Sequence, residues 1–415
     1  MNILKNNILY SLFFVYAIIT FSVDAYTFVR SAFFGVDFHS YWYAGHFVRQ
    51  GTDPYFAAIH GISLQLPITY IDGNLVSHEP VAQPDLMRVP ANTAPIVLLL
   101  TIFAFFSWHH AVWIWFLLNT LFAILNAIVI VKLFTNKPSI IHYLLSILLF
   151  LSLFSTKSAL HTGQTTLIVS LLMFLAVLFA ERNVFVAGIA LGIALSKYSL
   201  SLPVILFLWF KRKYSLISIA ALVQILSAFV LAWLTNTSPF VIIIEYLTMI
   251  AAHISQSGIH LASYFVKNNI IVIILTIGIT IPMLLVVHYW TQIRSFNLLE
   301  EQRQLLDMNV LALFNLHTLL SFYHREYDAV IWIISFFVLF FGLKINVWNV
   351  SQYGKIIISV LMFLSVLWMA RAEILLSLLR MPSGIENILT TTVLFVNFMV
   401  IFFFFYRTKT KITSL

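Results

Sequence analysis

The chain is a succession of apolar runs, many near the length that carries a helix across a bilayer, separated by short polar joints. A spanning helix needs about 20 apolar residues rising about 1.5 Å each. Candidate runs occupy residues 8–29, 94–107, 109–131, 140–156, 164–180, 184–210, 214–235, 270–290, 307–322, 327–343, 355–370 and 388–406. In hydrocarbon no water satisfies the backbone, so such runs become helices. Composition agrees: 61% of residues are hydrophobic and 9% charged, more apolar surface than a soluble fold of this length buries. The expectation is an all-α polytopic membrane protein with about 12 transmembrane helices. Because no polar linker, charge block or repeat divides the chain, residues 1–415 are read as one membrane domain.

Charge sets the orientation. The 23 Lys and Arg exceed the 15 Asp and Glu, and much of the excess lies at the ends of apolar runs. That pattern anchors helices in a membrane and does not point to nucleic acid. Counting from a cytoplasmic N-terminus puts Lys211-Arg212-Lys213, the segment from Arg294 to Arg303, Lys344 and the tail with Arg407, Lys409 and Lys411 inside. Both termini are then cytoplasmic, and residues 30–93 and 236–269 form two extracytoplasmic loops, the first with interfacial helices. Lys5, the following apolar run and Val23-Asp24-Ala25 outline a signal peptide. The run from 8 to 29 exceeds the roughly 7–15 residues of a signal core and is read as the first membrane helix. Two spans strain the count. The run 94–107 is short, while 184–210 is long and interrupted at Lys197 and Pro203. If it is two half-helices, the polarity of residues 107–197 inverts.

The first loop holds the densest polar and aromatic cluster. It reads Gly35-Val36-Asp37-Phe38-His39-Ser40-Tyr41-Trp42-Tyr43-Ala44-Gly45 and continues Gly51-Thr52-Asp53-Pro54-Tyr55. A carboxylate one turn outside a membrane helix and wrapped in aromatic rings is placed for general-base work, with water discouraged and substrate arriving from the interface. Asp37 can equally N-cap an interfacial helix over residues 38–50, with Tyr41, Trp42 and Tyr43 as headgroup anchors. The Gly51 to Tyr55 stretch reads as a helix stop and a turn.

Three stretches in order, together covering roughly residues 10–345, resemble the glycosyltransferase 87 family, which includes mycobacterial polyprenyl-phosphate-mannose-dependent mannosyltransferases. The first is Asp37-x3-Tyr41-Trp42, Ala44 and Gly51-x-Asp53-Pro54-Tyr55. The second is His161 with Gly163-Gln164, then Ala187-Gly188-x3-Gly192-x4-Lys197 and Lys211-Arg212-Lys213. The third is Tyr323-His324-Arg325-Glu326-Tyr327-Asp328. The resemblance implies a GT-C fold and an inverting transfer of a mannose- or arabinose-like sugar from a polyprenyl-phosphate donor to a lipid or glycan acceptor hydroxyl. The family's first-loop aspartate, its base, matches Asp37. It also implies a multi-pass protein of the bacterial inner membrane, in contact with membrane lipids.

Charges for such a reaction can be sought independently. A departing lipid phosphate requires cations or hydrogen-bond donors at the interface. His324 and Arg325, between two apolar runs, supply them, and Lys197, a charge within a membrane segment, is the third candidate. Substrate-binding candidates are His39, Tyr41, Asp53, Tyr55 and Arg88, followed by Glu79 and Asp85 and then Glu245, His253 and His260. His161 and Gln164 fall on the wrong side in the twelve-helix count and receive no role. The 13 histidines show no metal-binding helical pair, and no nucleotide-phosphate loop is present. No metal or cofactor is expected, and the donor is read as lipid-borne. The chief alternative is a transporter or flippase of a lipid-linked sugar, in which matched broken helices carry ionisable residues at mid-membrane. A purely structural membrane subunit is a third reading.

Overall fold

The computed structural model describes residues 35–62, 64, 92–253, 269–293, 299–321, 326–345, 350–378 and 385–413, together with 15, 18, 19 and 22. Every regular element among them is helical. Helix α1 (Val36–Arg49) and the short α2 (Pro54–Ile59) are all that is described of the first loop's regular structure. They are followed by α3 (Ala94–Leu100), which runs into a 3₁₀ turn over Thr101–Phe105.

The run 94–107 does not cross. Trp42 of α1 donates its indole N–H to the Phe106 carbonyl (3.1 Å), while Tyr41, also on α1, reaches Asn92. Both ends of the segment therefore lie against one helix. The physical reason is length: a dozen residues reach only about 20 Å, short of a hydrocarbon core of about 30 Å.

Helix α4 (Trp108–Phe134) leaves α1, and α5 (Ile140–Ser152) and α6 (Phe154–Thr162) return to it, bent by 63° where Leu153 adopts an extended conformation. Helix α7 (Thr166–Phe179) leads away again to Glu181. Then come α8 (Val184–Ala194), a 3₁₀ turn at Leu195–Lys197, α9 (Tyr198–Phe210) and α10 (Tyr214–Leu234). By length and composition Val184–Phe210 passes as one crossing helix. Straight, its 27 residues would span about 40 Å. Yet Glu181, just before it, pairs with Lys211 just after it at 3.3 Å, and also with Lys213. The segment is a hairpin. Lys197 breaks the helix with φ −119° and ψ 76°. The packing of α8 on α10 agrees: Gly188 abuts Ile219 and Gly192 abuts Val223, so the two helices run parallel and α9 must return between them. A Cβ on either glycine would lie 2.6 Å from its neighbour, and such small residues let membrane helices approach closely.

Helix α11 (Pro239–His253) occupies the expected second loop, and α12 (Asn269–Ile293), α13 (Glu300–Ser321), a 3₁₀ turn (Glu326–Trp332), α14 (Ile333–Ile345), α15 (Gln352–Leu378) and α16 (Ile385–Thr413) complete the bundle. Helix α13 is buried almost throughout from Leu305 to Leu320 and forms the bundle's axis. Phe207 stacks on Trp290 (5.4 Å) and Phe134 on Phe341 (5.4 Å). Against the twelve expected spans, five described segments are long and apolar enough to cross by length and composition, the folded-back Val184–Phe210 among them, and six if the bent pair α5–α6 counts as one. Thr166–Phe179 and Asp328–Leu343 are apolar but shorter. The first expected span, 8–29, lies almost wholly outside the described residues.

Candidate active site

The site is assembled where α1 meets the turn between α6 and α7. Gly35 starts α1 in the left-handed region (φ 77°) and donates its N–H to the His161 carbonyl (2.8 Å). Gly163, also left-handed (φ 73°), lies so close to α1 that a Cβ would sit 2.6 Å from that of Phe38. Phe38 stacks on Trp115 (5.2 Å) and Trp108 (5.9 Å). The Trp115 indole donates to the Gly163 carbonyl (2.7 Å), and the Asn119 amide to the Gln164 carbonyl (3.2 Å). Asp37, half-buried, occupies the first turn of α1. Gly35 takes the N-cap position, so Asp37 is not the cap that the sequence allowed. A carboxylate there is favoured by the helix dipole.

One turn on, the Tyr41 hydroxyl donates to Asn92 Oδ1 (3.1 Å) and lies 2.9 Å from Thr165 Oγ1. A single O–H cannot donate twice, so the Thr165 hydroxyl is the donor in that second bond. Burial holds the phenol well above its ordinary range; the Thr165 bond opposes this, while the charges of Asp37 and Asp328 add to it. Tyr41 is thus a neutral O–H that feels the charge of two carboxylates.

Beneath it, the Lys197 ammonium is paired with Asp328 and donates to Thr166 Oγ1 (2.7 Å), whose hydroxyl lies 3.0 Å from Asp328 Oδ1. The two charged side chains are 13% and 4% exposed, and a charge so deep persists only when paired and hydrogen-bonded. Backbone bonds from Thr93 to the Ser196 carbonyl (3.2 Å) and from Ile96 to Ser196 Oγ (3.2 Å) fix the hairpin tip against residues 92–96. On the other side of Asn92, the Tyr55 hydroxyl donates to the Asn92 carbonyl (2.6 Å). Asp53, buried, N-caps α2 by accepting from the Tyr55 N–H (2.8 Å).

The structure therefore brings Asp37, Tyr41 and Lys197 together, with His161 and Gln164 on the same side, and joins Asp53 and Tyr55 to them through Asn92. His39 packs among Trp42, Tyr43 and Trp108. Arg88, Glu79, Asp85, His260, His324 and Arg325 lie outside the described residues. Sequence reasoning gave no role to Asn92, Thr165, Thr166 or Asp328. The first three are uncharged and carry no spacing signal. Asp328 closes the Tyr323–Asp328 stretch that had been singled out for its His and Arg.

Comparison with known proteins bears on this constellation. No curated protein and no solved structure matches the chain. Residues 92–321 match the family model of Glycosyltransferase family 87, a stretch that includes Asn92, Thr165, Thr166 and Lys197 and leaves Asp37 and Asp328 to either side of it. That match covers more than half of the sequence, and the chain belongs to glycosyltransferase family 87.

Proposed function

We propose that the protein transfers a mannose- or arabinose-like sugar from a polyprenyl-phosphate donor to a lipid or glycan hydroxyl at the extracytoplasmic face of a bacterial inner membrane, with Asp37 as general base. The observation that carries this reading is the clamp of Gly35 on His161 and of Gly163 on Phe38, which sets the helix turn that bears the first-loop aspartate directly against residues of the family-matched stretch.

In the reaction, Asp37 takes the proton of the acceptor hydroxyl as its oxygen attacks the anomeric carbon. The bond from that carbon to the phosphate oxygen breaks, the electron pair leaves with the lipid phosphate, and the configuration inverts. Tyr41, kept neutral, gives its one O–H to Asn92 beside the base and does not compete for the proton. His324, Arg325 and Lys197 receive the phosphate charge, Lys197 sharing its ammonium with Asp328.

The same geometry supports an orientation. The end of the bundle opposite Asp37 carries Lys132, Arg182, Lys211, Arg212, Lys213 and Arg303, the cationic signature of a cytoplasmic side. Losing 94–107 as a crossing and folding 184–210 back on itself cancel in the count, so both termini stay cytoplasmic while residues 107–197 reverse.

The test is transfer by the purified protein from a panel of radiolabelled polyprenyl-phosphate sugars to membrane lipid extract. Asp37→Asn keeps the side chain's size and should lower turnover by about 10² to 10⁴ with donor binding intact. Wild-type transfer by a well-folded Asp37→Asn protein would remove Asp37 from the mechanism. One observation favours a second reading, flipping of a lipid-linked sugar: two broken helical segments, α5–α6 and α8–α9, meet at the site, as in transporters. Movement of the donor between leaflets with no new glycosidic product would establish it.

A further inference from the structure

Beyond Asn92, between α2 and α11, lies a pair of carboxyls that the proposed reaction does not use. Asp53 is only 3% exposed. Its Oδ1 accepts from the Tyr55 N–H, and its carboxyl is hydrogen-bonded to that of Glu245 on α11. Two ionised carboxylates can only accept, so this bond exists only while one of the two holds a proton. Asp53 Oδ2 and Glu245 Oε2 are both buried and find no other donor among the described residues. A buried acceptor without a donor is costly, and a shared proton is the donor that the pair supplies for itself.

The surroundings keep that proton in place. Tyr55 and Tyr246 face the pair, their rings edge-on at 5.5 Å, with Tyr41 and Tyr198 behind them, and burial keeps the phenols of Tyr55 and Tyr246 neutral. Helix α10, which packs on α11, contains no charged residue. On α1, which packs on α2, Arg49 donates to the Ala104 carbonyl and lies over Phe105 (4.3 Å), His46 meets Trp42 (4.5 Å), and Asp37 and His39 lie at the opposite end. None of these elements turns a cation to the pair, so a proton is what relieves two facing negative charges. Burial, then the hydrogen bond to Asp53 and its charge, pushes the Glu245 carboxyl up to about 7, and burial raises that of Asp53. The pair also reaches the site. Tyr55, two residues after Asp53, donates to the Asn92 carbonyl (2.6 Å), and Asn92 Oδ1 accepts from Tyr41 (3.1 Å), one turn from Asp37.

We propose that a proton shared by Asp53 and Glu245 latches α11 of the second loop to α2 of the first, and that its loss as pH rises releases α11 and loosens the Tyr55–Asn92–Tyr41 chain beside Asp37. A carboxyl raised in the folded protein contributes stability that is complete below its unfolded value of about 4.3 and is lost as pH rises through about 7. The latch stands apart from the transferase reading, and the experiment keeps them separate. Hydrogen-exchange mass spectrometry of the full-length protein in lipid nanodiscs, with rates corrected for the intrinsic effect of pH, needs neither donor nor turnover. Between about pH 5.5 and about pH 8.5, exchange in α2 and α11 of wild type should rise about tenfold, the factor carried by one pH unit, while α13 stays level. Glu245→Gln supplies an amide donor in place of the proton and should abolish the rise, as should Asp53→Asn, which keeps a good N-cap. Glu245→Ala, which offers no donor, should exchange fast at both pH values. Level exchange in wild type overturns the latch, and so does a rise that persists in both Glu245→Gln and Asp53→Asn. A rise that both amide variants abolish, in a protein that transfers no sugar from any polyprenyl-phosphate donor, upholds the latch and sinks the transferase reading alone.

Discussion

The α8–α9 hairpin carries a lysine–carboxylate pair at its tip and another at its base, and the two are built differently. At the base, Lys211 (10% exposed) bridges Asp307 at 2.9 Å and Glu181 at 3.3 Å, and Lys213 joins the same Glu181, which is 57% exposed. The network opens to solvent through Glu181, and Asp307 is held further by the Trp290 indole (2.9 Å). At the tip, Lys197 and Asp328 are closed in by Thr166 and lie under Tyr41. Lys211 and Asp307 (10% and 8% exposed) are as closed as the tip pair, but Lys213 and Glu181 (25% and 57%) open to water, and a pair that opens to water loses little solvation and suits a staple. A closed pair in low dielectric costs several kcal/mol of desolvation per ion and adds little net stability, so its retention favours a working role. The base thus reads as an anchor and the tip as part of the site.

The largest expected effect is all-or-none. In a chain without cysteine, single cysteines at Arg182 and Tyr214 should react with a membrane-impermeant thiol reagent from the same side of the membrane; labelling from opposite sides would replace the hairpin with one crossing helix. Next comes the energetic contrast. Asp328→Asn strands a buried ammonium and should destabilise by about 3–5 kcal/mol, whereas Lys213→Met should cost less than about 1 kcal/mol. Reversible unfolding in mixed detergent measures both, and equal losses would erase the distinction between tip and base.

A smaller effect is expected in the residues just before Asp328 in the chain. Arg325→Gln should weaken donor binding by about 1.5–3 kcal/mol, the range of hydrogen bonds to charged groups, and unchanged donor affinity in both Arg325→Gln and His324→Ala would take these residues out of the site. The smallest concerns acid. Partial burial alone would raise the Glu181 carboxyl, but Lys213 and Lys211 outweigh it and hold it below the usual glutamate range. A depressed carboxyl contributes stability that is present above its unfolded value of about 4.3 and is lost as pH falls through the folded value. Wild type should therefore lose a small increment of stability on acidification that Glu181→Gln does not lose, as parallel unfolding titrations would record.

Much of this was readable in advance, and the failures have causes. Asp37, Tyr41 and Lys197 stood out because charge and hydroxyl beside apolar runs are costly and few. Asn92, Thr165 and Thr166 did not, since uncharged polar residues are common in membrane segments and show their worth only through a partner. Glu245 was noticed but ranked low, because nothing in its neighbourhood along the chain reveals that Asp53 faces it. His161 and Gln164 were set aside on a helix count that took 94–107 as a crossing.

The sequence by itself determined that the chain is a helical membrane protein, where its polar residues gather, and which family its stretches resemble. These follow from composition, spacing and residue type, which act locally. Only the tertiary structure decided that 94–107 stays beside α1 and that 184–210 turns back at Lys197. One long helix and two half-helices share the same hydropathy, so the choice rests on contacts far apart in the chain: Glu181 with Lys211, Gly188 with Ile219, and Lys197 with Asp328.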